Sequence, residues 1–300
     1  MAAVQGPAAP RAAIVWWHAT RPATLAASVA PVLAGTAAAI RAGGIRPWAG
    51  ALALLVAVAM QVGVNYANDY SDFVRGADAN RRGPLRASSS GVVPPRHVKA
   101  AAVTAFGVAA IAGLVLSLTT DWRLLFAGMA AVAAGWLYTG GPRPYGYMGL
   151  GEVFVFVFFG LFATIGTTYV EAGRVTELSL LGGVATGALA CGILVLNNIR
   201  DLSGDSLAGK RTLAVRLGRP ATRTLLAALL VTAFAAVIAA PLRGASGPWQ
   251  LAPLMLVPMA LVVHRLSASR ETPTLVAALK RCAALEMWFA LLFAAGALSP

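Results

Sequence analysis

The sequence predicts an all-α membrane protein whose nine transmembrane helices form one bundle. Three observations predict it. First, 58% of the 300 residues are hydrophobic and only 12% are charged, with a mean hydropathy of +0.73. A soluble domain is about 45–50% apolar and about 25% charged. Second, the apolar residues fall in runs long enough to cross a hydrocarbon core of about 30 Å as helix. Third, Lys and Arg alternate in abundance from one inter-run loop to the next, which is how membrane topology is written.

Met1 to Ala13 is rich in Ala, Pro and Gly and reads as a disordered tail. It is not a signal peptide, because no apolar stretch precedes Trp16. Residues 14–300 read as a single polytopic domain. Apolar runs lie at about 22–40, 48–68, 100–119, 123–140, 150–170, 178–198, 224–241, 249–264 and 282–298. Pro22, Pro31, Pro253 and Pro258 lie in or beside them, where neighbouring helices can re-satisfy the backbone. Trp16 and Trp17 read as interfacial anchors and His18 as a solvated interface residue. Cys191 and Cys282 have no partner at metal spacing and read as small core residues.

All but five of the 24 Lys and Arg lie ahead of the first apolar run and in loops 69–99, 141–149, 199–223 and 265–281. The five others are Arg41, Arg46, Arg123, Arg174 and Arg243, on the opposite side. This asymmetry makes the N-terminus and the long polar loops cytoplasmic, in a multi-pass protein of a bacterial cytoplasmic membrane. The basic residues are interleaved with apolar runs and form no single soluble patch, so the net charge of +13 does not indicate nucleic acid.

Only eleven residues are acidic, and Asp69, Asp72, Asp78, Asp201 and Asp205 cluster in two of the cytoplasmic loops or the span ends feeding them. Acids near a bilayer are costly and usually functional. The first motif is Asn65-Tyr-Ala-Asn68-Asp69-Tyr-Ser-Asp72; Asn65, Asp69 and Asp72 share a helix face. The second is Asn197-Asn198-Ile-Arg200-Asp201-Leu-Ser-Gly-Asp205; Asn197, Asp201 and Asp205 share a face likewise. A single Asp could serve as a cap or a solvated surface group. Two motifs repeating the Asn-to-Asp spacing at matched span ends indicate ligands. Mg²⁺ takes oxygen donors and is usually held by one or two carboxylates plus substrate phosphates. Arg75, Arg81, Arg82 and Arg86 follow the first motif, and Lys210, Arg211 and Arg216 the second. Acids for metal and cations for phosphate, twice over, make a diphosphate site holding two or more Mg²⁺. Positive-inside topology is the alternative account of these cations.

Tyr138-Thr-Gly-Gly-Pro-Arg143-Pro-Tyr145-Gly-Tyr147, followed by Glu152, forms a tight turn. Its tyrosines are placed to face a cation or an aromatic ring, or to form an interfacial belt. Glu152 opens an otherwise apolar span, which favours function. Asn68, Asn198, Tyr138, Tyr145, Tyr147 and Glu152 are the candidate substrate contacts. Glu286, inside the last apolar run, has no assigned role.

These residues carry a family resemblance. Arg21-Pro22, VNYANDYSDFVRGAD, the GPLR at Gly83 to Arg86, WLYTGGPRPYGYMGLGE and LNNIRDLSGDSLAGKRTLAVRLG together resemble the UbiA superfamily of membrane prenyltransferases. Within it they are most similar to the actinobacterial 1,4-dihydroxy-2-naphthoate polyprenyltransferases. The resemblance runs from about Trp16 to the ninth apolar run and implies nine helices around a central cavity with a cytoplasmic site. It implies Mg²⁺-dependent transfer of a polyprenyl group from its diphosphate to 1,4-dihydroxy-2-naphthoate, with loss of CO₂, giving demethylmenaquinone. By motif match, Asn65, Asp69 and Asp72 take the first metal-diphosphate role and Asn197, Asp201 and Asp205 the second. Asp78 matches the acid that closes the first stretch. Other acceptors, such as 4-hydroxybenzoate or homogentisate, are the near alternative. A secondary transporter is the distant one, disfavoured because the polar groups stand at span ends and the repeat is parallel.

Overall fold

The computed structural model describes residues 12–77 and 86–299, and every regular element among them is helical. The tail to Arg11, and with it Asp78, Arg81 and Arg82, lies outside the described residues. The elements are α1 (Ala12–Ala19), α2 (Ala26–Arg41), α3 (Pro47–Val74), α4 (Pro95–Thr119) and α5 (Leu124–Leu137). They continue with α6 (Gly151–Ala172), α7 (Glu177–Leu207), α8 (Leu213–Leu242), α9 (Pro248–Leu266) and α10 (Thr272–Leu298).

Each of the nine apolar runs falls on one helix, α2 to α10, but nine full spans are not confirmed. Seven helices are long and apolar enough to cross a membrane. The α1 and α2 segments make an eighth if they act as one span, bent by 48°. α5 has 14 residues and so reaches only about 21 Å, short of the hydrocarbon core. The sequence run continued to residue 140, but the chain leaves the helix after Leu137 because the following Thr-Gly-Gly-Pro cannot extend it.

Lipid tails are as apolar as the helices, so close packing rather than water exclusion holds such a bundle together. The sequence provides for it with small residues. α2 buries Ala27, Ala30, Ala34, Ala37 and Ala38. A Cβ on Gly35 would lie 2.5 Å from the Thr164 carbonyl oxygen, so α2 and α6 approach backbone to backbone. Thr168 Oγ1 seals that contact by donating to the Gly35 carbonyl at 2.8 Å. α7 is the central post, buried against α2, α8 and α10. A second core joins α1, α3 and α4 around Tyr66, Val98 and Phe106. Outward-facing side chains such as Leu118, Val231 and Met255 are exposed and apolar, as a lipid-facing surface requires.

α6 changes pitch along its length. Phe156–Phe162 forms a π-helical turn where Gly160 abuts α7; a Cβ there would stand 2.2 Å from the Gly187 Cα. Such widened turns recur at functional sites. α3 and α7 keep their helical form through both acidic motifs, and so end at the same side of the bundle.

Candidate functional site

A cavity of about 300 Å³ runs into the bundle between α2, α3, α5, α6 and α7. Its two ends differ in chemistry. The end at the acidic motifs is lined by Asn65, Asn68, Asp72, Arg86, Asn197, Asn198, Arg200, Asp201, Asp205 and Lys210. The inner end is lined by Val56, Met60, Leu116, Leu124, Phe158 and Phe162.

Asp72 joins the two motifs. Its Oδ2 accepts from Arg86 Nη1 at 2.8 Å, while its Oδ1 accepts from Lys210 Nζ at 2.8 Å and Tyr147 Oη at 2.6 Å. Lys210 also reaches the Asp205 carboxylate at 3.8 Å. One lysine after the second motif therefore bridges an acid from each. Asp201 is gripped by its neighbour Arg200 through Nε and Nη2, at 2.8 and 2.6 Å.

The other members of the first motif do different work. The Asp69 oxygens accept the backbone N–H groups of Ala87 and Ser88 at 2.8 and 2.9 Å. Asp69 is 1% exposed and does not line the cavity. Asn65 Nδ2 donates to the Thr20 carbonyl at 2.8 Å and to Thr24 Oγ1 at 3.1 Å, tying α3 to the turn before α2. Asn68 Oδ1 accepts from Thr139 Oγ1 at 2.7 Å. Residues 65, 69 and 72 share a face of α3 but are staggered over about 10 Å along its axis, so they meet separate partners.

The Tyr turn closes over this end. Burial, and then the Asp72 charge and hydrogen bond, push the Tyr147 phenol well above its ordinary pKa. It therefore stays protonated and donates. Lys210 Nζ lies 4.7 Å from its ring centroid and Arg75 Cζ 5.6 Å. Arg75 spends its fork on the carbonyls of Thr139 and Gly141, and Arg211 is exposed, with its backbone N–H on the Tyr147 carbonyl. Neither lines the cavity. Of the seven cations that follow the motifs, Arg86 and Lys210 face it, Arg216 like Arg75 and Arg211 does not line it, and Arg81 and Arg82 lie outside the described residues.

Tyr138 and Tyr145 meet edge to face, with centroids 5.4 Å apart, and Tyr145 stacks on Phe154 at 3.9 Å. Phe158 and Phe162 continue the row at 6.1 and 6.0 Å. Residues four apart on an α-helix drift about 40° per step, and the π turn offsets that drift. The row thus stays on the cavity wall. Opposite it, α5 presents Gly128, Ala131 and Gly135, whose small side chains leave the lumen open. Glu152 Oε1 accepts from Asn198 Nδ2 at 2.9 Å, placing this pair where the polar and aromatic parts meet. Tyr145 Oη donates to the Ala134 carbonyl, and burial pushes its pKa up.

Sequence reasoning missed Arg21, Gln61, Thr139 and the Phe154, Phe158 and Phe162 row as lining residues. The four-residue Phe spacing was visible, but in an apolar span it reads equally as lipid-facing surface. Glu286 is fully buried on α10, both its carboxyl oxygens lack a hydrogen-bond partner among the described residues, and it does not line the cavity.

No cluster of three or more His, Cys, Asp or Glu able to enclose a metal occurs among the described residues. The donor set is nonetheless all oxygen: carboxylates of Asp72, Asp201 and Asp205 and amides of Asn68, Asn197 and Asn198 line one lumen. That chemistry fits Mg²⁺ completed by substrate phosphates rather than by an all-protein cage.

The UbiA prenyltransferase family matches residues 28–295. The chain is 49% identical over 246 residues to a 1,4-dihydroxy-2-naphthoate octaprenyltransferase of Mycobacterium tuberculosis, covering 82% of this chain and 83% of the relative. It is 30% identical over 286 residues to the protein of that name in Bacillus subtilis, covering 95% and 92%. Among solved structures it resembles a UbiA homolog from Archaeoglobus fulgidus bound to DMAPP and Mg²⁺, with a TM-score of 0.64 at 13% identity over 93% of this chain and 99% of that one. A UbiA homolog from Aeropyrum pernix superposes with a TM-score of 0.66 at 15% identity, over 90% and 96%.

Proposed function

The chain belongs to the UbiA prenyltransferase family, and from that premise we propose that it transfers a polyprenyl group from polyprenyl diphosphate to 1,4-dihydroxy-2-naphthoate. The observation that carries this reading is the single cavity with an acid-and-cation end and an aromatic, apolar end. A polyprenyl diphosphate has the same two halves. The acceptor assignment is supported by relatives at 49% and 46% identity that bear the naphthoate octaprenyltransferase name.

In this reading the diphosphate lies between the two motifs, against Arg86 and Lys210. Asp72, Asp201, Asp205 and Asn197 would hold two or more Mg²⁺, with Asn65, Asp69 and Asp78 supporting the same set. Bound Mg²⁺ supplies Lewis-acid neutralisation of the leaving diphosphate. Arg86 and Lys210 add fixed positive charge where charge develops. The bond between prenyl C1 and the diphosphate oxygen breaks, and its electron pair leaves with the diphosphate. Tyr138 and Tyr145 offer π-faces to the allylic cation, and the aromatic row keeps water from it. The naphthol carbon bearing the carboxylate attacks C1. CO₂ then leaves, and the electron pair of its bond returns to the ring. Asn198 and Glu152, at the polar boundary, contact the acceptor.

The bilayer supplies the isoprenoid substrate laterally and receives the product. In this reading the motif end faces the cytoplasm of a bacterial cytoplasmic membrane, which the Lys and Arg asymmetry supports. The test is direct. Purified protein in nanodiscs with Mg²⁺, octaprenyl diphosphate and dihydroxynaphthoate is expected to yield demethylmenaquinol, which air oxidises to demethylmenaquinone during extraction, by mass. Folded protein that makes no such product, but prenylates 4-hydroxybenzoate or homogentisate, would replace the acceptor and leave the family intact.

A further inference from the structure

Arg21 stands out on two independent grounds. Its backbone is left-handed, at φ 51° and ψ 68°, and every other described residue at positive φ is a glycine. Chirality opposes that conformation in an L-residue, and the Pro22 that follows disfavours it further. The turn is nevertheless tightly held. Arg21 N–H donates to the His18 carbonyl at 3.0 Å, and the Arg21 carbonyl accepts from Thr24 N–H at 2.8 Å and Thr24 Oγ1 at 2.9 Å. Glycine would fit this site with no steric penalty. Strain of this kind persists where a side chain must be aimed.

The second ground is where the side chain ends. Arg21 lines the cavity, and its Nη2 is buried without a hydrogen-bond partner. Its electrostatic neighbours are Arg86, Asp69, Asp72 and Arg200. It therefore points into the space between the first motif and the second. A buried guanidinium nitrogen left without an acceptor is normally compensated by a ligand. Arg86 and Arg200 are anchored to Asp72 and Asp201 respectively, so Arg21 presents, in Nη2, a donor that no carboxylate among the described residues engages.

We propose that Arg21 is a further diphosphate-contacting residue, its Nη2 donating to an oxyanion of the prenyl diphosphate and holding it as C1–O cleavage moves an electron pair onto the leaving group. This rests on the diphosphate reading of the cavity given above. The strained backbone is what turns the guanidinium from the membrane interface into the bundle. The acceptor's carboxylate is the other oxyanion that could meet Arg21, and the experiment separates the two.

The decisive variant is Arg21→Gly, which keeps the left-handed turn and removes the fork; Arg21→Lys keeps the charge without the fork. Full-length protein in detergent is titrated with inorganic diphosphate in the presence of Mg²⁺, and Kd is read by calorimetry without acceptor or turnover. Loss of one charge-assisted hydrogen bond predicts a Kd about ten- to a hundredfold weaker for Arg21→Gly, and a smaller loss for Arg21→Lys. The melting temperature of Arg21→Gly is expected to equal or exceed that of the unsubstituted protein. The KM for dihydroxynaphthoate is expected to stay within about twofold. Unchanged diphosphate affinity overturns the proposal, whether the KM for acceptor rises or the Gly variant melts early. The first result would assign Arg21 to the carboxylate and the second to folding alone. If the unsubstituted protein binds diphosphate but makes no product from the naphthoate, the acceptor reading fails and the Arg21 assignment stands.

Discussion

The two acidic motifs share a spacing and an end of the bundle, yet their side chains are committed very differently. In the first, Asp69 holds the backbone of Ala87 and Ser88, Asn65 holds Thr20 and Thr24, and Asp72 takes Arg86, Lys210 and Tyr147 at once. In the second, Asp205 meets Lys210 only at 3.8 Å, and Asn197 lines the lumen. The first motif ties α3 to other segments, whereas the second commits Asp201 to its neighbour Arg200 and sets Asp205 and Asn197 on the lumen. Equal spacing therefore does not mean equal role. A carboxylate saturated by backbone donors is a scaffold element, and one facing an open lumen is a candidate ligand.

Substitutions can break that comparison. The largest effect is expected from Asp72→Ala, which removes a proposed ligand and leaves Arg86 and Lys210 without their shared partner. Stranding buried charge costs about 3–5 kcal/mol. Both the melting temperature and turnover should fall, turnover by about a thousandfold or more. An Asp72→Ala protein with normal turnover would remove Asp72 from the site. Asp205→Ala is expected to lose turnover by a similar order while melting near the unsubstituted temperature. It should also need more Mg²⁺ for half-maximal rate. If its melting temperature drops as far as that of Asp72→Ala, the contrast between the motifs disappears.

Asp69→Asn should sit between. It keeps the side-chain shape but only one acceptor, so one of the two charge-assisted bonds, each worth about 1.5–3 kcal/mol, becomes a neutral one and the other is lost to an NH₂ facing an N–H. Faster proteolysis after Asn68 and before Val92 should accompany a partial loss of rate. Chelation by EDTA is expected to silence the enzyme and Mg²⁺ to restore it, with unaltered helix content by circular dichroism. The smallest effect is expected from Glu152→Gln, which preserves a carbonyl acceptor for Asn198. It should alter acceptor KM and leave diphosphate affinity unchanged; a change confined to the diphosphate constant would move Glu152 out of the acceptor contact.

Much of this was legible in one dimension. The apolar runs located every helix from α2 to α10, because a lipid-exposed backbone must satisfy its own hydrogen bonds and helix is the local way to do so. Asp72, Asp201 and Asp205 were marked by their chemistry, since acids at a bilayer surface are rare enough to be informative. The fates of Asp69 and Asn65 were not legible. Both partners lie in other segments, across 18 and 41 to 45 residues of chain. Arg75 and Arg211 resembled Arg86 and Lys210 in sequence but turned onto carbonyls or outward, and nothing local distinguishes them. The strain at Arg21 was equally silent, because Arg-Pro carries no signal for a left-handed turn.

Local periodicity and composition, then, determined the membrane class, the helices and the two acid-bearing helix ends, since each depends on residues within a turn or two of one another. Only the tertiary structure decided which of those polar groups face the lumen. It also decided that α5 stops short, that a π turn against Gly187 lines up an aromatic wall, and that Arg21 points inward. Each of these depends on where a distant helix places its backbone, and helix packing is set by contacts between segments that no single stretch of sequence contains.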